Sequence, residues 1–402
     1  MDTAARLKTL SDAAIDAAAG QLAELSRDIW SHPELNYEEK HAHFVLTAFL
    51  EDHGLRPQRH YVVDTAFRAE FGGEDGGPNV AVLCEYDALP ELGHACGHNL
   101  IAEVGVGAAL GIKAALEEAL KEGRNLGKLT VFGTPAEEGG GGKIKLLDAG
   151  AFRDVDCSLM AHPADANLVD FGYVAITEVA VVYRGKASHA AASPWEGVNA
   201  LDAAVTAYSS VSCLRQQMKP DWRVHGVITN GGVKPNIIPE KAELLYYIRA
   251  PTLQDRDILA TKVYACFNAA ATATGCSVEI KCIHQYDNMI HNEAMTSVYR
   301  DNMARYGVEE PPADHLAWKQ VASSDVGNVS QAVPSIAPVF AIGTRDMPHS
   351  RGFAEAAGGP AAQAYTLVQA KLLAATAIDL YCTPRHVDTA KEQFEKYTSE
   401  GL

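Results

Sequence analysis

Positive charge is in short supply in this 402-residue chain: 34 Lys and Arg stand against 51 Asp and Glu, a formal net charge of −17. Such a balance repels a phosphate backbone or an anionic membrane surface unless a local basic patch reverses the field, and the sequence holds no such patch. Neither nucleic acid nor membrane is therefore an expected partner. No run reaches the ~18 apolar residues of a membrane span. Met1 to Leu10 carries Asp2, Arg6 and Lys8 and lacks the apolar core of a secretory signal. Cysteine is present but unpatterned: Cys84, Cys96, Cys157, Cys213, Cys266, Cys276, Cys282 and Cys382 show none of the dense spacing of a disulfide framework. The expected compartment is reducing and cytoplasmic. Internal repeats and low-complexity tracts are also missing.

What is present is globular. Apolar residues make up 47% of the chain and charged residues 21%, enough for a real core, and the length fits about two domains. Thr3 to Trp30 reads as helix, ending before Pro33. Asn79–Cys84, Lys128–Phe132 and Cys157–Met160 are short apolar runs of the buried-strand kind. Between the first two, Val104, Ala108, Ile112, Leu116 and Leu120 make a stripe on a helix from about Leu100 to Lys121. From about Tyr173 the texture changes to strand, helix, strand, strand, helix, strand, with Thr252 and Asp255 set as a capping box for the second helix. After about Asn288 the chain returns to helix, to the apolar run Ile336–Ile342, and to a last helix from about Pro360 to Leu380. The architecture expected is an α/β fold. Residues 1–173 and 289–402 form one domain around a mostly parallel central sheet with helices on both faces, interrupted by an α+β (βαββαβ) insert at 174–288.

Four segments that follow predicted core strands concentrate ligand-type residues, and the carboxyl ends of such strands are where sites form. Cys96 and His98 offer a thiolate and an imidazole, with Asp87 suited to hold a ligand His in one tautomer. Glu137 and Glu138 are adjacent carboxylates that need a cation or a proton to sit together. His162 and His349 each follow an apolar run. Any one of these is weak alone. As a set, Cys96, His98, Glu138, His162 and His349 exceed what one catalytic zinc uses and suit two divalent ions. Glu137 is then left as a general base that becomes the general acid. Catalysis by Cys96 as nucleophile and a non-catalytic metal-binding protein are the competing readings.

His32-Pro33-Glu34-Leu35, Asp87-Ala88-Leu89-Pro90, His94 to Asn99, Thr134 to Gly139, Met160 to Pro163, Gly185 to Ala191, Asn236 to Pro239 and His349 together resemble the co-catalytic zinc metallopeptidases. That family includes aminoacylase, carboxypeptidase G and the indole-acetyl amino acid hydrolases. The resemblance is strongest to its amidohydrolase branch, which holds p-aminobenzoyl-glutamate hydrolase and the β-alanyl-lysine, or Xaa-Arg, dipeptidase. It implies a catalytic domain with an inserted lid through which two copies form a homodimer, and two divalent ions, zinc or alternatively manganese, on the five ligands named above. It also implies a small-molecule dipeptide or N-acyl amino acid substrate, whose terminal carboxylate would be engaged by Asn236 and Arg249, with His189 facing the cleft. Two positions depart from the pattern. Asn99 stands where many relatives have Asp after the second ligand, and Asn199 stands near the place of an oxyanion-stabilising His, which leaves His225 as the candidate for that role. The function expected is amide hydrolysis of a dipeptide of β-alanyl-lysine or Xaa-Arg/Lys type, with p-aminobenzoyl-glutamate or N-acyl amino acid hydrolysis as the alternative.

Overall fold

The computed structural model describes residues 3–73, 76–315 and 321–400, and these divide into two compact units. The first contains 1–172, 289–321 and 328–402; the second contains 173–288 and the short segment 322–327.

The first unit is built on a six-stranded sheet. Its order is Gln58–Arg59, Phe67–Gly72, Lys128–Gly133, Asn79–Cys84, Cys157–Leu159, Ser335–Ile336. The last four strands run parallel to one another, and the first two are antiparallel additions at one edge. Every residue of Asn79–Cys84 and Lys128–Gly133 is buried, as a strand covered on both faces must be, which is why these strands read as mostly apolar. The polar exceptions Thr130 and Asn79 satisfy each other, the Thr130 hydroxyl donating to Asn79 Oδ1 at 2.8 Å.

The helix His98–Lys121 packs on this sheet and beneath the helices Thr3–Ser31 and Pro360–Cys382. By length and composition it could cross a membrane, yet 89% of its apolar window is buried inside the protein. Val104, Ala108, Ile112 and Leu116 lie in the core, whereas Leu120, expected to continue the stripe, is 43% exposed at the helix's end. Gly105 in this helix lets it approach the sheet: a Cβ there would lie 2.4 Å from Cys84 Sγ. The run Ile336–Ile342 is also not one element. It breaks around Pro338 into Ser335–Ile336, which pairs with Cys157–Leu159, and Val339–Ala341, which pairs in parallel with His162–Ala164 in a separate two-stranded sheet. Proline has no N–H for the ladder, so one continuous strand is disfavoured there.

The second unit is a four-stranded antiparallel sheet in the order Ser277–Tyr286, Ala175–Arg184, Lys241–Ala250, Arg223–Asn230. Helices Ala200–Cys213 and Leu253–Thr274 pack on it. Burial along Lys241–Ala250 alternates residue by residue, so one face carries the core and the other carries half-exposed side chains. Thr252 caps the second helix by accepting the Asp255 N–H at 3.2 Å. The reciprocal half of the expected capping box is absent, because the Asp255 carboxylate instead takes Lys219 Nζ and Trp222 Nε1.

Candidate metal centre

The parallel strands of the first unit end in loops that meet. Asn79–Cys84 runs into Glu85 and Asp87, and the chain re-enters helix at His98 through Gly97, whose φ is +76°. A side chain at Gly97 would strain that left-handed backbone and place its Cβ 2.6 Å from Pro163 Cγ. Lys128–Gly133 runs into Ala136, Glu137 and Glu138, Cys157–Leu159 leads to His162, and Val339–Ala341 leads to His349. Ala136 (φ 60°) and His349 (φ 67°) are both left-handed without being glycine, a strain that clusters at functional sites. Each is pinned by its backbone N–H: Ala136 donates to Glu39 Oε1 at 2.8 Å and His349 to the Ala95 carbonyl at 2.8 Å.

The five candidate ligands converge. Cys96 Sγ lies 3.4 Å from His162 Nε2. Ligand atoms of Cys96, His98 and His162 fall within 4.8 Å of one another, and so do those of Cys96, Glu138 and His349, so that Cys96 is common to two clusters. The Asp87 carboxylate accepts from His98 Nδ1 at 2.9 Å and from the Glu138 N–H at 2.9 Å, turning His98 Nε2 inward. His162 donates Nδ1–H to the Pro163 carbonyl at 2.8 Å, which likewise leaves its Nε2 lone pair facing Cys96. Glu138 Oε1 sits 3.4 Å from His349 Nε2 and 3.8 Å from His98 Nε2. Glu137 Oε2 stands 3.9 Å from His98 Nε2.

Three observations fit a cation here. His98 Nε2 and Glu85 Oε2 are buried with no hydrogen-bond partner, an unfavourable arrangement that an ion relieves. Burial and the His98 charge lower the His162 pKa to about 4, which leaves this imidazole neutral; His98 goes the other way, its burial outweighed by Asp87 and Cys96, which raise its pKa, and a bound cation would take the place of its Nε2 proton. Burial opposes ionisation of Glu138, but His349 and His98 hold its carboxyl below the ordinary range, as a ligand oxygen requires. The Cys96 thiol, by contrast, is pushed well up by burial and by Glu138. That is the opposite of a thiol poised for attack on its own, and a coordinated cation is what would make it a thiolate.

Sequence reasoning misses Glu85, Lys143 and Glu39. Glu85 is fully buried, with Oε1 2.6 Å from Lys143 Nζ and Oε2 3.5 Å from His98 Nε2. Glu39 is buried too, and burial followed by the Asp87 charge raises its pKa to about 7. The only sequence signal for Glu85 and Lys143 is that each lies within two residues of a run of ligand candidates or glycines.

Residues 82–368 match the sequence profile described as peptidase family M20/M25/M40. The chain belongs to this family. The matched stretch takes in all five candidate ligands. Among relatives of this M20 peptidase, the Xaa-Arg dipeptidase of Mus musculus is 52% identical over 399 residues, covering 97% of this chain and 92% of the relative. One of the p-aminobenzoyl-glutamate hydrolase chains of Escherichia coli (strain K12) is 32% identical over 341 residues, covering 80% of this chain and 70% of the relative. In fold, the chain resembles a dinuclear metal-binding M20 peptidase of Bacillus subtilis, with a TM-score of 0.69 at 20% identity, 92% of this chain and 99% of that one covered.

The remaining candidates of this M20 chain lie in the second unit, in two groups. His189 and Asn236 are neighbours: the Ala190 N–H donates to the Asn236 carbonyl at 3.0 Å, and His189 Nδ1 accepts from the Ala191 and Ala192 N–H groups. His225 and Arg249 lie on the open face of the sheet. His225 pairs across strands with Tyr247, and the Arg249 guanidinium sits 5.7 Å from the Tyr247 ring while donating to Ser323 Oγ at 2.9 Å. Burial, then Arg249, lowers the His225 pKa.

The two departures from the family pattern have structural reasons. Asn99 donates to Ser26 Oγ and to the Ala357 carbonyl, tying the core helix to its neighbours. Asn199 is a helix cap whose Oδ1 accepts the Leu201 and Asp202 N–H groups.

Proposed function

We propose that this chain hydrolyses the amide bond of a dipeptide of Xaa-Arg or Xaa-Lys type, β-alanyl-lysine included. The observation that carries this reading is the 52% identity to an Xaa-Arg dipeptidase over 97% of the chain. Cys96, His98, Glu138, His162 and His349 would hold two divalent ions. Thiolate and imidazole donors suit zinc, and manganese, which prefers oxygen donors such as the Glu138 carboxylate, is the alternative. When bound, the ions supply an acidified water and polarise the scissile carbonyl.

The chain's own groups do the rest. Glu137 takes a proton from the attacking water on its carboxylate and returns it to the leaving amine nitrogen. Asp87 keeps His98 in the Nδ1–H tautomer, so that Nε2 faces the centre. Arg249 and Asn236 bind the substrate's terminal carboxylate, His189 orients the substrate, and His225 donates to the oxyanion. The protein works as a cytoplasmic homodimer joined through the second unit.

A second reading, hydrolysis of p-aminobenzoyl-glutamate or another N-acyl amino acid, has the 32% identity to the Escherichia coli hydrolase chain in its favour. The test offers β-alanyl-lysine, an Xaa-Arg dipeptide, an N-acetyl amino acid and p-aminobenzoyl-glutamate to the metal-loaded protein and to its Glu137→Gln variant. The proposal expects the basic dipeptides to be cut fastest, and the variant to bind metal normally with kcat reduced by ~10²- to 10⁴-fold. Metal-loaded protein that cuts none of the four returns the chain to a binding role.

A further inference from the structure

Away from the centre just described, Asp28, His32 and His41 stand together where the helix Thr3–Ser31 ends and the helix Lys40–Asp52 begins. We propose that these three residues form a separate binding site for one divalent transition-metal ion, with Zn²⁺ as the ion to try first. The proposal does not depend on the dipeptidase reading.

The geometry starts from helix periodicity. His32 follows Asp28 by four residues, so both side chains fall on one face at the helix end, and His32 Nδ1 lies 3.1 Å from Asp28 Oδ1. The chain then reverses, and the Glu34 carboxylate accepts the N–H groups of His41 (2.9 Å) and Ala42 (3.0 Å), fixing the first turn of the next helix. That turn brings His41 Nε2 to 3.0 Å from Asp28 Oδ2. One carboxylate therefore faces two imidazole nitrogens, and one ligand atom from each residue lies within 4.8 Å of the others. The ring centroids are 4.3 Å apart and the planes tilted by 41°.

Two imidazoles and a carboxylate on one side of a point are the facial donor set of open metal sites, with the remaining positions left to water. Without a cation, His32 Nδ1 is shared among the Asp28 carboxylate, the Asp28 backbone carbonyl at 2.9 Å and Ser31 Oγ at 3.2 Å, while His41 Nε2 meets the other carboxylate oxygen at 3.0 Å. An ion would take the Nδ1 lone pair in place of the proton held there. A dication satisfies all three donors at once. The residues are partly exposed, with side-chain exposures of 56% for His32, 40% for Asp28 and 34% for His41. An ion can enter from solvent without any rearrangement of the core. The corner is not isolated from the rest of the unit, since the Glu34 carbonyl accepts the Ala88 N–H at 2.8 Å, next to Asp87.

The test is equilibrium dialysis of the full chain against a series of free Zn²⁺ concentrations, with metal and protein measured in each sample. It is done for the native protein, His41→Ala, Asp28→Asn and His32→Gln, and repeated in a His162→Ala background that damages the other centre. The native protein should take up one Zn²⁺ equivalent more than each corner variant, in both backgrounds. Added Zn²⁺ should also raise the thermal midpoint of the native chain more than that of His41→Ala. Dipeptide hydrolysis by His41→Ala should stay at the native rate. Equal Zn²⁺ uptake by native and corner-variant proteins overturns the site. So does an equivalent lost together with hydrolysis, because the substitution would then be acting on the first centre. Should one variant fail to fold, as judged by its circular dichroism without metal, the other two decide.

Discussion

The carboxylate of Asp87 spans two neighbours, holding His98 Nδ1 through one oxygen and the Glu138 backbone N–H through the other, each at 2.9 Å. A single buried side chain thus sets the tautomer of one candidate ligand and the position of the residue carrying another.

Replacing Asp87 with Asn tests that arrangement with little change of shape. The amide can still accept from His98, but it loses the charge that holds the Nδ1–H tautomer and can present an N–H to the same contact. We expect metal affinity to fall ~10- to 100-fold, with activity falling alongside and partly restored by excess metal. Competition with a chromogenic chelator measures this directly. Unchanged affinity would reduce Asp87 to a packing residue.

Lys143 and Glu85 form an ion pair with neither side chain exposed. Removing one partner of a buried pair leaves a charge with no water to solvate it, at a cost of ~3 to 5 kcal/mol, whereas removing both charges costs much less. Lys143→Met should therefore unfold at markedly lower denaturant than the native chain, and Lys143→Met combined with Glu85→Gln should recover much of the loss. A double variant no better than the single would mean that the loss comes from the packing around Lys143 and not from a stranded charge.

How far the sequence can be read follows from the same residues. The buried strands were legible because a strand covered on both faces is apolar nearly throughout, and Val80–Cys84 is. The candidate ligands were legible because they are chemically unusual and each follows such a strand. Glu85, Lys143 and Glu39 were not, since nothing local distinguishes a buried carboxylate or ammonium from the solvated ones that outnumber it. Their burial is decided by elements far away in the chain, as with Glu39 reaching Ala136 across 97 positions. Ile336–Ile342 misled because hydrophobicity alone does not say which of two partner strands each half will join.

Arg249 offers a test in the second unit. Arg249→Lys keeps the positive charge but loses the planar fork that meets a carboxylate with two parallel hydrogen bonds. If Arg249 binds the terminal carboxylate, KM for a dipeptide should rise ~10-fold or more with kcat little changed, and an amidated dipeptide should be insensitive to the substitution. Equal loss of rate on the free and amidated substrates would place Arg249 in the packing around Ser323 and Tyr247 instead.

Glu103, in the second turn of the buried core helix His98–Lys121, gives stability a pH dependence whose sign can be worked out. Burial raises its pKa from 4.5 to about 8, with the hydrogen bond from Gln363 opposing the shift. Between those values the folded chain holds a proton that the unfolded chain has released, so the folded state binds more protons and stability from this group declines as pH rises from about 4.5 to about 8. Above that window the folded protein carries a buried, ionised carboxylate, a penalty on the order of 3 to 5 kcal/mol. Glu103→Gln removes the titration while its amide oxygen can still accept from Gln363 Nε2, which now lies 3.0 Å from Glu103 Oε2. The variant should melt close to the native protein at about pH 5 and distinctly above it at about pH 8.5. Thermal midpoints across this range decide the matter: parallel curves for the two proteins would mean that Glu103 ionises in the folded chain as readily as in the unfolded one.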